Sequence, residues 1–230
     1  MSRATAILGL VLASFPVTSL KGQSIYQAPS YDGSPSYSVG GVLGYQRGLT
    51  FQLTGTVKDF ASGLPVQARL LLGRTSVDPG SATDARRIFI NDATNGTPRE
   101  SGHTWDFGLD GLYAIGARTS AFGGIRYSRF KANFKFVGGN EDFDVTSSHW
   151  GLAAGVEAVY PMGQRTSLVL MGGGEYFLSS RLTGHDTSYS PDGDNVNPRQ
   201  DYTYSDADKA VGQPTFRPMA LVGVTYRLGH

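Results

Sequence analysis

The chain contains no cysteine. That absence excludes a disulfide scaffold and any thiolate metal site, and it leaves export open. An excess of one charge is missing too: Lys and Arg total 20 against 19 Asp and Glu, for a formal net charge of +1. With no Lys/Arg cluster to track a phosphate backbone, nucleic acid is set aside as a partner. No window holds the roughly 18 apolar residues that a membrane helix needs. If this chain sits in a membrane, it does so as strands.

What the sequence does have is 31 Gly with 12 each of Tyr and Phe among 230 residues, a length suited to one domain. Arg3 followed by the apolar run Ala4 to Ala13 has the form of a secretory signal. A signal peptide is expected over 1–23, with the cut near Gln23. The polar, Pro-containing stretch 24–35 then reads as a short periplasmic lead-in.

From there to residue 228 the pattern has period two. In Ser147 to Leu182 the residues Trp150, Leu152, Ala154, Val156, Ala158 and Tyr160 share one face of a strand. After a turn at 161–164, Leu168, Leu170, Gly172, Gly174, Tyr176 and Leu178 share one face of the next. The same alternation gives strands near 37–45, 49–58, 66–73, 105–115, 121–136 and 217–228. In the fifth, the apolar face changes parity near Ser128-Arg129, which predicts a β-bulge. Long loops are expected at 77–103 and 184–214, and a medium one at 138–146.

Eight strands with joins that mostly alternate short and long predict an all-β, antiparallel, up-and-down transmembrane barrel over 36–228. Its short turns would be periplasmic and its long loops extracellular. A soluble secreted barrel of lipocalin type, carrying a lipophilic ligand, is the alternative from a different class. Seven of the eight strands carry ionisable groups on the less apolar face, and a soluble core does not hold so many.

The signal peptide, the eight alternating strands, the segment Phe122-Gly123-Gly124-Ile125-Arg126-Tyr127 and the last strand Val222 to Leu228 together resemble a known family. It is the outer-membrane β-barrel family that includes the OmpA transmembrane domain, OmpX and opacity-type proteins. The resemblance implies export to a bacterial outer membrane and a monomeric barrel surrounded by lipid and glycolipid.

Along the inward face run Lys58, Arg69, Asp106, Asp110, Arg126, Lys131, Lys135, Glu157, Glu175, Arg217 and Arg227. Eight strands enclose an interior only wide enough for side chains, so these charges are expected to neutralise one another. The expected lumen network comprises Arg69, Asp106, Asp110, Arg126, Glu157, Glu175 and Arg217. Strand matching sets Arg126 diagonal to both Asp106 and Asp110, and pairs Glu175 with Arg217. Such a plug fits a structural or adhesin-like protein rather than an enzyme, and a narrow channel for small or hydrophobic solutes is the runner-up.

Two smaller features complete the reading. Ser147 and His149 share a face, but Glu157, the nearest carboxylate on it, lies roughly 27 Å along the strand. A catalytic triad is rejected on that distance and His149 is expected to be solvated. Asp192, Asp194 and Asn195 suggest a weak cation-binding loop without the further ligands of a calcium hand, so no cofactor or resident metal is expected. Extracellular partners are expected at the loops 77–103, 138–146 and 184–214, with Tyr189, Tyr202 and Tyr204 as anchors. The acidic rim of the two later loops would draw divalent cations that bridge to anionic glycolipid.

Overall fold

The computed structural model describes residues 34–61 and 64–229. The signal peptide expected over 1–23 and nearly all of the lead-in lie outside the described residues. Eight strands make one closed antiparallel wall: β1 (Ser36–Tyr45), β2 (Leu49–Lys58), β3 (Val66–Val77), β4 (Thr97–Ala114), β5 (Thr119–Val137), β6 (Asp142–Pro161), β7 (Thr166–Phe177) and β10 (Phe216–Leu228). Between β7 and β10 come the short strands β8 (Leu182–Gly184) and β9 (Thr187–Tyr189). Two helices, α1 (Ala82–Phe89) and α2 (Tyr204–Ala210), complete the elements. The wall closes where β10 returns to β1, with Leu43 opposite Val222. No helix among the described residues is long and apolar enough to cross a membrane.

Period-two alternation becomes an inside-out distribution of polarity. On β2, Thr50 and Gln52 are buried in the lumen, whereas Phe51 and Leu53 are half exposed on the outer surface. Leu49, Leu70 and Leu152 are 73%, 65% and 65% exposed, an arrangement that water disfavours and a lipid bilayer supplies. This overturns the soluble ligand carrier, which would turn these residues inward. Tyr37, Tyr113, Tyr160 and Tyr226 ring one edge of the apolar band, and Trp105, Phe107, Trp150, Tyr176 and Phe216 ring the other. Trp105 and Tyr113 are separated by roughly 27 Å along β4, which the strand tilt brings near the thickness of an outer-membrane apolar band.

Three strands outrun that band. β4, β5 and β6 have 18, 19 and 20 residues, against 10 in β1, and a span needs only about 9–11. The loops expected at 77–103 and 138–146 are therefore partly strand, with Thr97 to His103 in β4 and Asp142 to Thr146 in β6, and α1 takes up 82–89 of the first. The bulge expected at Ser128-Arg129 is absent. Ser128 pairs with Asp106 and His149, and Arg129 with Trp105 and Ser148, in an unbroken ladder.

What changes there is the surroundings. Below, the outer face meets lipid and is apolar. Above, it meets water, so Lys131, Asn133 and Lys135 point out while Phe130, Ala132, Phe134 and Phe136 turn in and are buried. The strand keeps its register and the polarity of its two faces is exchanged.

Those inward residues form the core of an ordered outer cap with Phe143 and Val145 of β6, Ala85, Ile88 and Phe89 of α1, Leu182 of β8, Tyr189 of β9 and Ala207 of α2. The 184–214 segment is thus folded rather than a plain loop. Tyr189, expected as a partner anchor, is fully buried; its hydroxyl donates to the Ile88 carbonyl at 3.0 Å and accepts from the Arg199 amide at 3.0 Å. α1 begins at Ser81, whose hydroxyl accepts from the Asp84 amide, and it buries the face carrying Ala82, Ala85, Ile88 and Phe89.

α2 begins with a reciprocal cap: the Thr203 hydroxyl accepts from the Asp206 amide while the Asp206 carboxylate accepts from the Thr203 amide at 2.9 Å. The Thr203 hydroxyl and then its amide hold the Asp206 carboxyl below the usual range. A depressed carboxyl contributes stability above its unfolded value and loses it as the pH falls through the folded one. Hydrogen exchange of α2 is accordingly expected to accelerate below about pH 4 and to be pH-insensitive in Asp206→Asn once intrinsic rates are corrected.

Candidate functional site

The lumen is filled in layers. Toward the periplasmic side sits an apolar layer of Val42, Leu112, Phe122, Val169, Met171 and Leu221. Next come the charges, each brought inward by strand parity: Arg69 from β3, Asp106 and Asp110 from β4, Arg126 from β5, Glu157 from β6, Glu175 from β7 and Arg217 from β10. All seven are buried. They form a single chain of alternating sign, running Glu157, Arg69, Asp110, Arg126, Glu175, Arg217, Asp106.

Arg69 donates to Asp110 through Nη2 at 2.8 Å and Nε at 3.0 Å, and through Nη1 to Glu157. Arg126 donates through Nη1 to Asp110 and through Nε to Glu175 at 2.7 Å. Arg217 forks onto Asp106 at 3.0 and 3.2 Å and reaches Glu175 at 2.6 Å. Each guanidinium thus bridges two carboxylates, the geometry for which the planar fork is suited. Two of the arginines also lie over aromatic rings, Arg69 at 4.9 Å from Phe122 and Arg217 at 4.5 Å from Phe177.

Strand matching sets out some of these neighbours and not others. Arg126 sits opposite Gly108, as that matching places it, yet it bonds to Asp110 and not to Asp106. Asp106 is occupied by the Arg217 fork, with Ser128 donating at 2.6 Å and Thr104 at 2.9 Å. Glu175 and Arg217 are direct cross-strand partners. Lys131 and Lys135 are not inward at all; they lie above the parity exchange and pair outside with Asp144 at 2.7 Å and Asp142 at 2.9 Å. Lys58 and Arg227, at the periplasmic end, take no part.

Sequence reasoning missed the hydroxyls around Asp106, although Thr104 shares its face two residues away. It also missed the reason for two glycines. A Cβ at Gly108 would meet Arg126 Nη1 at 2.7 Å, and one at Gly124 would meet the Leu109 carbonyl at 2.2 Å and Asp110 Oδ1 at 2.3 Å. The absence of a side chain makes room for the central guanidinium at Gly108 and for the Asp110 carboxylate that it bonds at Gly124.

His149 departs furthest from expectation. It is 1% exposed, because β5 and β6 continue past it and the cap closes above. Its Nδ1 lies 3.0 Å from the Leu178 carbonyl and its Nε2 2.6 Å from Ser147 Oγ. The carbonyl only accepts, so Nδ1 carries the proton and Nε2 accepts from the serine. A backbone carbonyl stands where a catalytic serine–histidine pair would have an orienting carboxylate.

The residues suggested for a cation loop are engaged in holding their own turn. Asp192 accepts from Ser190 and from the Asp194 amide at 3.1 Å, Asp194 pairs with Arg181, and Asn195 accepts from the Ser190 amide at 2.8 Å. Among the described residues no group of His, Cys, Asp or Glu converges to hold a metal ion.

No protein-family model and no curated protein matches the sequence. Among solved structures, a major outer membrane protein from Thermus thermophilus is 26% identical, with 85% of this chain and 100% of that chain covered and a TM-score of 0.68. Ail, the attachment invasion locus protein of Yersinia pestis, is 13% identical over 84% of this chain and 97% of that chain, with a TM-score of 0.43. Neisserial surface protein A is 11% identical over 84% of this chain and 94% of that chain, with a TM-score of 0.38. A wall that turns its apolar side outward, in a chain that covers the whole of the Thermus protein, has the fold of the eight-stranded outer-membrane β-barrels and belongs in a bacterial outer membrane.

Proposed function

We propose that this protein is a closed, non-conducting element of the outer membrane that presents its folded cap as a surface for contact outside the cell. The observation that carries this reading is the alternating chain from Glu157 to Asp106, which crosses the lumen and leaves its side chains at most 10% exposed. A conducting path needs mobile water or loosely held charge, and guanidinia fixed at both ends offer neither. The Phe- and Tyr-rich cap core above the chain closes the same axis a second time.

The cap, rather than the wall, is the part free to serve recognition, since the wall is constrained by lipid on one face and packing on the other. Divalent bridging to glycolipid through the acidic rim is the less favoured use of the cap, since Asp142, Asp144 and Asp194 of that rim are each paired with a cation of the protein itself.

Planar-bilayer recording of the refolded protein is expected to give no steady conductance, and a large, stable open level would overturn the closed-wall reading. Replacing 79–95 and 179–214 by short Gly/Ser links is expected to leave the barrel inserted while abolishing cell-surface adhesion. Unchanged adhesion would remove the cap from that role.

A further inference from the structure

On the lipid-facing side of β2 to β6 lies a concave groove with a volume of about 490 Å³. Its floor is Gly55, where a side chain would meet nothing within 4 Å, and its sides include Leu53, Leu70, Phe107, Leu109 and Trp150. The register explains the shape. One cross-strand row runs through Gly55, Leu70, Leu109, Ile125 and Leu152, and the next row outward through Leu53, Leu72, Phe107, Tyr127 and Trp150. A residue without a side chain sits in a sheet of large ones, and the gap opens toward the bilayer.

The row above changes character. It reads Phe51, Arg74, Trp105, Arg129 and Ser148, all on the same outer face. Both arginines are exposed, and the Arg74 guanidinium lies 5.7 Å from the Trp105 ring. Neither has a carboxylate partner among the described residues. Higher on the same face, Lys131 and Lys135 are each paired with an aspartate. Two unmatched guanidinia therefore flank a tryptophan at the depth where head groups begin, directly above an apolar groove.

We infer that this wall segment binds one phosphate-bearing lipid of the outer leaflet, the phosphate held between Arg74 and Arg129 and an acyl chain laid in the groove over Gly55. Charge complementarity selects the head group: the planar guanidinium fork matches phosphate oxygens, and a zwitterionic head group would satisfy two cations less well. Spacing fits as well. Arg74 stands two and four residues from Leu72 and Leu70, roughly 7 and 14 Å along the strand, so a chain hanging from the phosphate enters the groove at once. The inference rests on the outer-membrane placement of the barrel and is independent of whether the lumen conducts.

The test uses the full barrel in neutral detergent, with phosphatidylglycerol and phosphatidylcholine as probes and native mass spectrometry to count retained lipid. Wild type is expected to retain one phosphatidylglycerol in preference to phosphatidylcholine. Arg74→Gln with Arg129→Gln is expected to lower phosphatidylglycerol retention at least about tenfold and leave phosphatidylcholine unchanged, and Arg74→Lys with Arg129→Lys to restore part of the preference. Gly55→Leu, which has room for its side chain, is expected to reduce retention of both lipids while the folded barrel keeps its gel mobility. Equal retention in the double glutamine variant would overturn the head-group site. Unchanged retention in Gly55→Leu would overturn the groove. A wild-type dimer dispersed by Gly55→Leu would assign the groove to a second copy and overturn the inference altogether. Conductance and adhesion are expected to be the same in all of these variants, so failure here and failure of the closed-wall reading are separable.

Discussion

Arg126→Ala is expected to destabilise the detergent-folded barrel by about 3–5 kcal/mol, the cost of stranding buried charge. Denaturant midpoints read from the shift between folded and unfolded mobility would measure it. Arg126 is the central link: its loss leaves Asp110 with Arg69 alone and Glu175 with Arg217 alone, deep in the lumen. Glu157, at the end of the chain, makes one ion pair and its side chain is 10% exposed. Glu157→Ala is therefore expected to cost only about 1–3 kcal/mol.

A sharper contrast comes from removing three links together. With Arg126, Asp110 and Glu175 all replaced by leucine, Arg69 keeps Glu157 and Arg217 keeps Asp106, so two one-to-one pairs remain. This triple variant is expected to lie within about 2 kcal/mol of wild type, since replacing buried ionic groups wholesale by apolar ones is often neutral. A triple variant as unstable as Arg126→Ala would contradict the account of the lumen as an alternating chain.

Phe134→Ala is expected to loosen the cap by about 3–5 kcal/mol while sparing the wall. Phe134 is fully buried and packs against Phe143 with ring centroids 5.5 Å apart, at the centre of the cap core. Hydrogen exchange should accelerate in α1, α2 and the β5 and β6 segments above Ser128, while the ladder from Thr119 to Ser128 stays protected. Uniform loss of protection would mean that cap and wall melt as one unit.

The barrel was legible because lipid imposes a simple rule on each strand. Trp150, Leu152 and Val156 on one face, with Ala153 and Glu157 on the other, leave little freedom in assigning which side faces which medium. Parity likewise brought Glu175 beside Arg217 and Arg126 opposite Gly108. It did not decide which carboxylate each guanidinium takes, because that depends on side-chain reach and on the space left at Gly108 and Gly124.

The cap was not legible, for a related reason. Phe130, Ala132, Phe134 and Phe136 continue the inward parity of Arg126 and Ser128, but they are apolar where the lumen is polar, so the sequence imitates a slipped strand. Only the change from lipid to water outside explains the pattern without a slip. α1 has eight residues, of which Asp84, Arg86 and Arg87 are charged, and it follows Pro79-Gly80, which reads as loop when its buried face is unknown. His149 reads as solvated because the lipid-facing alternation stops beside it; its cover comes from the continuation of β5 and β6 and from segments distant in sequence, among them Leu178, whose carbonyl it bonds.

The unbroken pairing of β5 with β6, from Thr119 opposite Ala158 to Lys135 opposite Asp142, has a mechanical consequence. A cap tethered by loops would swivel when pulled and dissipate the load in slack chain. Here the same ladder runs through the bilayer and on into the cap, so the projecting sheet acts as a mast stepped in the membrane. A sideways force at its tip is delivered as torque to the barrel wall, and the lipid-embedded end, locked by the ion pairs across its bore, is the footing that resists it.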